Sequence, residues 1–107
     1  PELVNIPDSG DLLLVWNNSE YDMAFASHYG KRNPLTVAVS RDDGRTWGRV
    51  KNVVDNPRNG HTNPVAFFTR SGRSVLAWFE AEYSQRWLME EMFSLRAAVF
   101  DQKWLYE

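Results

Sequence analysis

The feature that most constrains the fold is an internal repeat of a strand, a tight turn and a second strand. Shifting the 107-residue chain by 62 positions places residues 3–16 over residues 65–78. Four identities link the two stretches: Ser9 with Ser71, Gly10 with Gly72, Leu14 with Leu76 and Trp16 with Trp78. A Ser-Gly pair suits a hairpin turn because glycine reaches positive φ without a Cβ clash. The repeat predicts two copies of one all-β unit.

Short runs rich in Val, Leu, Phe and Trp predict seven strands. They cover residues 3–6, 11–16, 35–40, 49–54, 64–69, 74–80 and 94–100. Residues 17–33 are polar and aperiodic, which predicts a long loop, and long loops on β scaffolds often carry function. Residues 81–93 fit either a long loop with one helical turn or a short helix with one apolar face. The prediction is an all-β chain with two less regular segments.

Composition excludes several classes of function. The 12 basic and 14 acidic residues give a net charge of -2, which argues against nucleic acid or an anionic membrane surface as the main partner. The longest uninterrupted apolar run, residues 12–16, is far short of the roughly 20 residues of a membrane helix. No cysteine is present, and His28 and His61 are too isolated to predict a metal site. We therefore expect no cofactor, no metal and no membrane span.

An octet after the third predicted strand has a regular pattern. It reads Ser40-Arg41-Asp42-Asp43-Gly44-Arg45-Thr46-Trp47 and fits S-x-D-x-G-x-T-W. The Asp42 carboxylate is suited to accept backbone hydrogen bonds inside a turn, and Gly44 to adopt positive φ. The hydroxyls of Ser40 and Thr46 can tie the two arms together, and Trp47 is expected to bury its ring between sheets. These residues predict a structural turn.

This octet resembles the Asp-box, or BNR repeat, of sialidase-type β-propellers. Residues 30–40 are similar to the segment that carries the third arginine of the sialidase triad. Residues 74–82 resemble the strand ending in the family's Tyr-Glu-Ala type sequence, and residues 94–100 with 103–106 resemble the end of the catalytic domain. The order of these parts agrees with the last two blades of six.

The resemblance implies part of a six-bladed β-propeller. Residues 1–55 would be the penultimate blade with its Asp-box, and residues 56–107 the last blade, with three strands and no closing strand. A blade takes roughly 40–50 residues, so the chain supplies about two. Together with a start at Pro1, this leads us to expect a fragment whose partners include the missing upstream blades.

The resemblance also implies two site residues. Arg32 would bind the substrate carboxylate, since arginine offers a permanently charged, bidentate partner. Glu80 would have a supporting role, holding a triad arginine that lies outside this chain. A carboxylate at the end of an apolar strand also requires a partner on physical grounds, because its isolated burial is costly.

The family's nucleophilic tyrosine is missing from its expected position. Sialidases use tyrosine because a carboxylate nucleophile would be repelled by the substrate's own carboxylate. The corresponding window, residues 59–65, contains no tyrosine, and either His61 or Asn63 occupies the equivalent position. Three other tyrosines, Tyr21, Tyr29 and Tyr83, lie elsewhere in the sequence and are predicted in loops.

Two functions follow from the resemblance. One is exo-cleavage of a terminal sialic acid or a related acidic sugar from a glycan, and the other is glycan binding or scaffolding by a catalytically altered propeller. Trp16 and Trp78 occupy equivalent repeat positions, which favours core packing for both. Localisation stays open, although the family resemblance suggests a secreted or periplasmic protein.

Overall fold

The computed structural model describes residues 1–25, 29–85, 88–89 and 93–107. These residues form eight strands and one short helix. The elements are β1 (Glu2–Asn5), β2 (Leu12–Asn17), β3 (Leu35–Ser40), β4 (Gly48–Val54), β5 (Asn59–Phe68), β6 (Ser74–Gln85), β7 (Leu88–Met89), β8 (Ser94–Phe100) and α1 (Gln102–Leu105). The all-β prediction is confirmed, and the chain forms two antiparallel sheets.

The first sheet is a meander in which β1, β2, β3 and β4 lie side by side in chain order. Its register places Leu13 opposite Val39 and Val15 opposite Val37. Because paired residues share a face, these four side chains form one apolar surface. All six residues of β3 are buried, so this strand is the centre of the first sheet.

The second sheet is built around β6, which pairs with β5 on one side and with β8 on the other. The far end of β6 also pairs with β7. Both β5 and β6 extend beyond the predicted strands, because residues 59–62 pair with residues 79–82. The prediction of a loop or helix was therefore wrong for residues 81–85 and 88–89, which are strand. Residues 86–87 and 90–92 lie outside the described residues.

The two predicted hairpins are present and differ in turn length. In the first, four residues separate Ile6 from Asp11, whose backbone groups hydrogen-bond over 2.8 Å. In the second, three residues separate Thr69 from Arg73, which are joined in the same way over 2.8 Å. Both turns end in a glycine of positive φ, 75° in the first and 86° in the second, as the repeat predicts.

The core lies between the facing surfaces of the two sheets. The buried members are Ile6, Leu13, Val15, Leu35, Val37 and Val39 from the first sheet and its turn, Ala66, Leu76 and Trp78 from the second, and Leu105 from the helix. Each large aliphatic side chain contributes roughly 1.5–3 kcal/mol on full burial. The core packing predicted for Trp78 is confirmed.

The C-terminal helix ties the two sheets together. Leu105 is buried in the shared core, and the Lys51 ammonium of β4 donates to the Trp104 carbonyl over 2.6 Å. The Tyr106 hydroxyl donates to the Asp11 carboxylate over 2.7 Å. The Gln102 amide donates to the Gly72 carbonyl of the second hairpin over 2.6 Å. These contacts fix one end of the sheet pair.

The octet at residues 40–47 forms the turn between β3 and β4. The Asp42 carboxylate accepts hydrogen bonds from the Ser40 hydroxyl (2.9 Å), the Thr46 amide (2.8 Å) and the Thr46 hydroxyl (2.6 Å). The Thr46 hydroxyl bond is the main cause that lowers the pKa of Asp42. Gly44 has φ 88°, as expected. The expected burial of Trp47 was wrong: it is 38% exposed, and its ring lies beside Gly44 rather than between the sheets.

Candidate functional site

A cleft opens at the end of the sheet pair opposite the octet turn, beside the start of β3. Its volume is about 400 Å³. Nine residues line it: Pro1, Trp16, Asn17, Ser19, Gly30, Lys31, Arg32, Asn63 and Pro64. The lining thus combines two cationic side chains, two amides and an indole ring. The structure places Arg32 and Asn63 in this cleft, and it places His61 and Glu80 behind it.

The backbone of Arg32 is held on both sides. Its N–H donates to the Tyr83 hydroxyl over 2.8 Å, and its carbonyl accepts the N–H of His61 over 2.7 Å. The Asn17 amide donates to the carbonyls of Pro34 (3.2 Å) and His61 (3.0 Å). These bonds join the loop to β2, β5 and β6, so the position from which the Arg32 side chain extends is fixed.

Tyr83 belongs to β6, so its predicted place in a loop was wrong. The ring lies 5.4 Å from the Lys31 ammonium and meets Phe25 edge-on at 5.8 Å. Burial raises the pKa of the Tyr83 hydroxyl, and the Arg32 N–H opposes this shift. The hydroxyl is therefore neutral at pH 7. Sequence reasoning missed its role because Tyr83 and Arg32 are 51 positions apart.

His61 is fully buried behind the Arg32 loop, with 0% exposure. Its Nδ1 lies 3.3 Å from the Arg32 carbonyl oxygen, and its Nε2 lies 3.3 Å from Oε1 of Glu80. The second contact has ion-pair distance without hydrogen-bond geometry, so Nε2 has no hydrogen-bond partner among the described residues. Burial lowers the pKa of His61 despite the nearby Glu80 carboxylate. A neutral, buried imidazole can orient Arg32 but does not reach the cleft.

Glu80 has the partners that its position requires. Its carboxylate is 11% exposed and accepts hydrogen bonds from the Asn59 amide (2.7 Å) and the Trp78 indole (3.0 Å). Burial raises its pKa, but the bonds from Trp78 and Asn59 and the nearby His61 and Arg96 outweigh that effect and lower it. Glu80 is therefore an ionised group in a polar cluster adjoining the Arg32 loop.

Asn63 projects from an irregular position in β5. The pairing of β5 with β6 shifts register between Thr62 and Val65, which is typical of a β-bulge. Asn63 has φ 51°, a left-handed conformation that asparagine tolerates better than most residues. It is exposed and lines the cleft, so of the two residues proposed at the nucleophile-equivalent position, Asn63 faces the cleft.

Trp16 differs in burial from Trp78, the residue at the equivalent position of the repeat. Core packing was predicted for both, but Trp16 is only partly buried and lines the cleft, so that prediction was wrong for Trp16. The alternation of β2 gives the reason: Leu13 and Val15 face the core, and Trp16 faces the other side. Asn17 and Lys31 are further cleft residues that sequence reasoning missed.

Among the described residues, no three His, Cys, Asp or Glu side chains gather closely enough to hold a metal ion. In the same part of the chain, no helix is long and apolar enough to cross a membrane. The chain matches no model of a protein family, no curated protein and no solved structure. Function is therefore inferred from the geometry of the cleft and from the octet.

Proposed function

We propose that the chain forms two neighbouring blades of a sialidase-like β-propeller and that its cleft binds the carboxylate of a terminal acidic sugar. Three observations support the fold. The octet forms the turn that connects β3 to β4, with the hydrogen bonds that its pattern predicts. Two antiparallel sheets pack face to face, and the proposed boundary at residues 55/56 falls between them. Arg32 and the octet lie at opposite ends of β3.

The observation that carries the binding proposal is the cationic loop on the cleft. Arg32 and Lys31 both line it, and the Arg32 backbone is fixed by Tyr83 and His61. The fixed backbone sets the point from which the Arg32 side chain extends. A guanidinium suits a planar carboxylate, because it can donate two parallel hydrogen bonds to it. The remaining lining offers the Asn63 amide for sugar hydroxyls and the Trp16 ring for an apolar sugar face.

Binding is better supported than hydrolysis. Among the described residues that line the cleft there is no tyrosine, and the amide of Asn63 is not a nucleophile. His61 is buried, and the Tyr83 hydroxyl is engaged with the Arg32 backbone. We therefore propose a catalytically altered, carbohydrate-binding site in preference to an exo-sialidase. Hydrolysis would require a nucleophile from outside the residues that line the cleft.

We also propose that further blades of the same propeller contribute to the site. The Asn59 side-chain oxygen is buried without a hydrogen-bond partner among the described residues, and it lies in the cluster that contains the Glu80 carboxylate. The Glu80 carboxylate of this cluster is 11% exposed, so it can accept a further hydrogen bond from a donor such as an arginine of another blade. Glu80 would then support that arginine as the family resemblance implies.

Two assays on one pair of variants test the function. Isothermal titration calorimetry measures the binding of N-acetylneuraminic acid, and a fluorogenic sialoside measures turnover. Arg32→Ala is expected to weaken binding roughly 10- to 100-fold, because a hydrogen bond to a charged group contributes about 1.5–3 kcal/mol. Arg70→Ala, an exposed arginine in the β5–β6 turn at the far end, is the matched control and should bind as wild type does.

The outcomes separate the alternatives. Binding that depends on Arg32 without turnover supports the proposal. Turnover that Arg32→Ala abolishes would instead assign exo-sialidase activity. Absence of both, or binding that is insensitive to Arg32→Ala, would refute a carboxylate site in this cleft.

A further inference from the structure

Two tyrosine rings lie side by side on the loop between β2 and β3, close to the cleft. Tyr21 is 73% exposed and Tyr29 is 54% exposed. Their ring centroids are 5.7 Å apart, and the ring planes are tilted by 32°. Met23 on the same loop is 74% exposed. Isolated exposed apolar side chains are common, but two exposed rings in contact on one loop form an apolar patch of the kind found at binding surfaces.

The tyrosine pair is held in place by the arms of the loop. The Asp22 N–H donates to the Tyr29 carbonyl over 2.6 Å. The arms approach so closely that a Cβ added at Gly30 would lie 3.0 Å from the Glu20 carbonyl oxygen. Tyr29 has φ 51°, which is uncommon for a bulky residue and is retained only where surrounding contacts impose it. These contacts therefore hold the backbone at Tyr21 and Tyr29 and fix where the two rings lie.

The patch is continuous with the cleft. A second depression of about 380 Å³ adjoins the pair, with Tyr21 and Phe25 in its lining. It shares Ser19 and Lys31 with the cleft that holds Arg32. The rest of its lining is mostly polar: Asn18, Glu20, Asp22, Asn33 and Pro34. A ligand anchored at Arg32 can thus continue past Lys31 to the tyrosine pair.

We propose that Tyr21 and Tyr29 form a second sugar subsite, which binds the sugar attached to the terminal acidic residue. The inference rests on the proposed function. A pyranose combines an apolar C–H face with a rim of hydroxyls, and it therefore suits an aromatic surface beside hydroxyl, amide and carboxylate groups. A rigid tyrosine ring provides such contact with little loss of conformational entropy. The ligand class is then an oligosaccharide with an acidic end.

The test compares two ligands that share the acidic sugar. Calorimetry with N-acetylneuraminic acid and with sialyllactose should give about tenfold tighter binding of the trisaccharide to the wild type. Tyr21→Ala should remove that advantage and leave the affinity for the monosaccharide unchanged, and Tyr21→Phe should retain it. Phe67→Ala, which removes an exposed ring from the outer face of the second sheet, should leave both affinities at the wild-type value.

The possible failures are distinguishable. Equal affinities for both ligands, or a trisaccharide advantage that survives Tyr21→Ala, would overturn the subsite. If Arg32→Ala still weakens monosaccharide binding in that case, the proposed function stands. If neither ligand binds the wild type, the proposed function fails and the subsite fails with it.

Discussion

Replacing Glu80 by glutamine tests whether the cluster behind the cleft stabilises the fold as its geometry indicates. The carboxylate presents one oxygen to the Asn59 amide and the other to the Trp78 indole. A glutamine has nearly the same shape but only one accepting oxygen. In Glu80→Gln one of the two donors must therefore face an NH₂ group.

The magnitude follows from these contacts. Losing one hydrogen bond to a charged group costs about 1.5–3 kcal/mol, and the bond that remains is weakened because its acceptor is neutral. Part of this is recovered if the new NH₂ group takes the Oε1 position, 3.3 Å from the His61 Nε2, and donates to that nitrogen. A neutral hydrogen bond contributes about 1 kcal/mol. The expected net loss in the free energy of unfolding is about 2 kcal/mol.

Urea denaturation followed by tryptophan fluorescence at pH 7 measures this loss. Glu82→Gln is the matched control, because Glu82 is an exposed glutamate two positions further along the same strand. An exposed substitution of this kind typically changes stability by less than about 0.5 kcal/mol. The difference in stability between the two variants separates the contribution of the partly buried, hydrogen-bonded Glu80 carboxylate from the effect of removing a charge.

The stability of Glu80→Gln at acidic pH provides a second test of the same contact. The pKa of Glu80 is lower in the folded state than in the unfolded state. Its contribution to the free energy of unfolding is therefore fully present above the unfolded-state pKa and is lost as pH falls through the folded-state pKa. Glu80→Gln should consequently show a weaker loss of stability than the wild type in this acid range. Equal stability of Glu80→Gln and Glu82→Gln at pH 7, with equal acid dependence, would refute the reasoning.

Three further predictions concern Tyr83, the octet and His61. Tyr83→Phe removes the hydroxyl that accepts the Arg32 N–H and should weaken N-acetylneuraminic acid binding by roughly 2- to 10-fold in calorimetry. The control Tyr106→Phe loses a hydroxyl at the other end of the sheets and should leave binding unchanged. An equal loss of affinity in both variants would contradict the role of Tyr83 in positioning Arg32. Asp42→Asn should lower the melting temperature in calorimetric scans, because the carboxylate accepts three hydrogen bonds there. Asp43→Asn should not, since asparagine tolerates the φ of 59° at that position. The pKa of His61 is lowered by burial, so the stability associated with its neutral form should be lost as pH falls below about 6.5. His61→Gln should flatten that part of a urea-denaturation profile, and an unchanged slope would contradict the assignment.

Local patterns were sufficient to predict most of the fold. The two hairpins follow from Ser-Gly pairs between apolar runs, and the positive φ of Gly10 and Gly72 agrees with that turn chemistry. The octet predicted a turn held by Asp42, and the hydrogen bonds of Asp42 confirm it. These features depend on residues within a few positions of one another, so the sequence contains their causes directly.

The extension of β6 could not be predicted in this way. Residues 81–85 are mostly polar or aromatic and show no clear alternation, so their strand conformation depends on pairing with β5 and β7. Strand propensity is strongly affected by such partners. The position of Trp47 has a similar cause: the octet fixes the backbone, but the packing of neighbouring groups decides whether the ring is covered.

Of the residues that line the candidate site, the sequence predicts only Arg32 and Asn63. Arg32 was identified through family resemblance, and the structure places it in the cleft. The cleft's other contributors come from β2, β5 and the long loop, which meet only after the sheets pack. No periodicity relates Trp16, Asn63 and Tyr83 to Arg32, so their proximity had to come from the tertiary structure.

The two ends of β3 differ in how far along the chain their stabilising contacts reach. The octet's hydrogen bonds join residues two to four positions apart, so this turn can form within a single hairpin. The bonds that fix the cleft join residues 17 to 51 positions apart, and closing such longer loops carries a larger entropic cost. The cleft can therefore exist only when both sheets have folded and docked. Ligand binding at Arg32 would report completion of the whole fold, whereas formation of the octet turn would not.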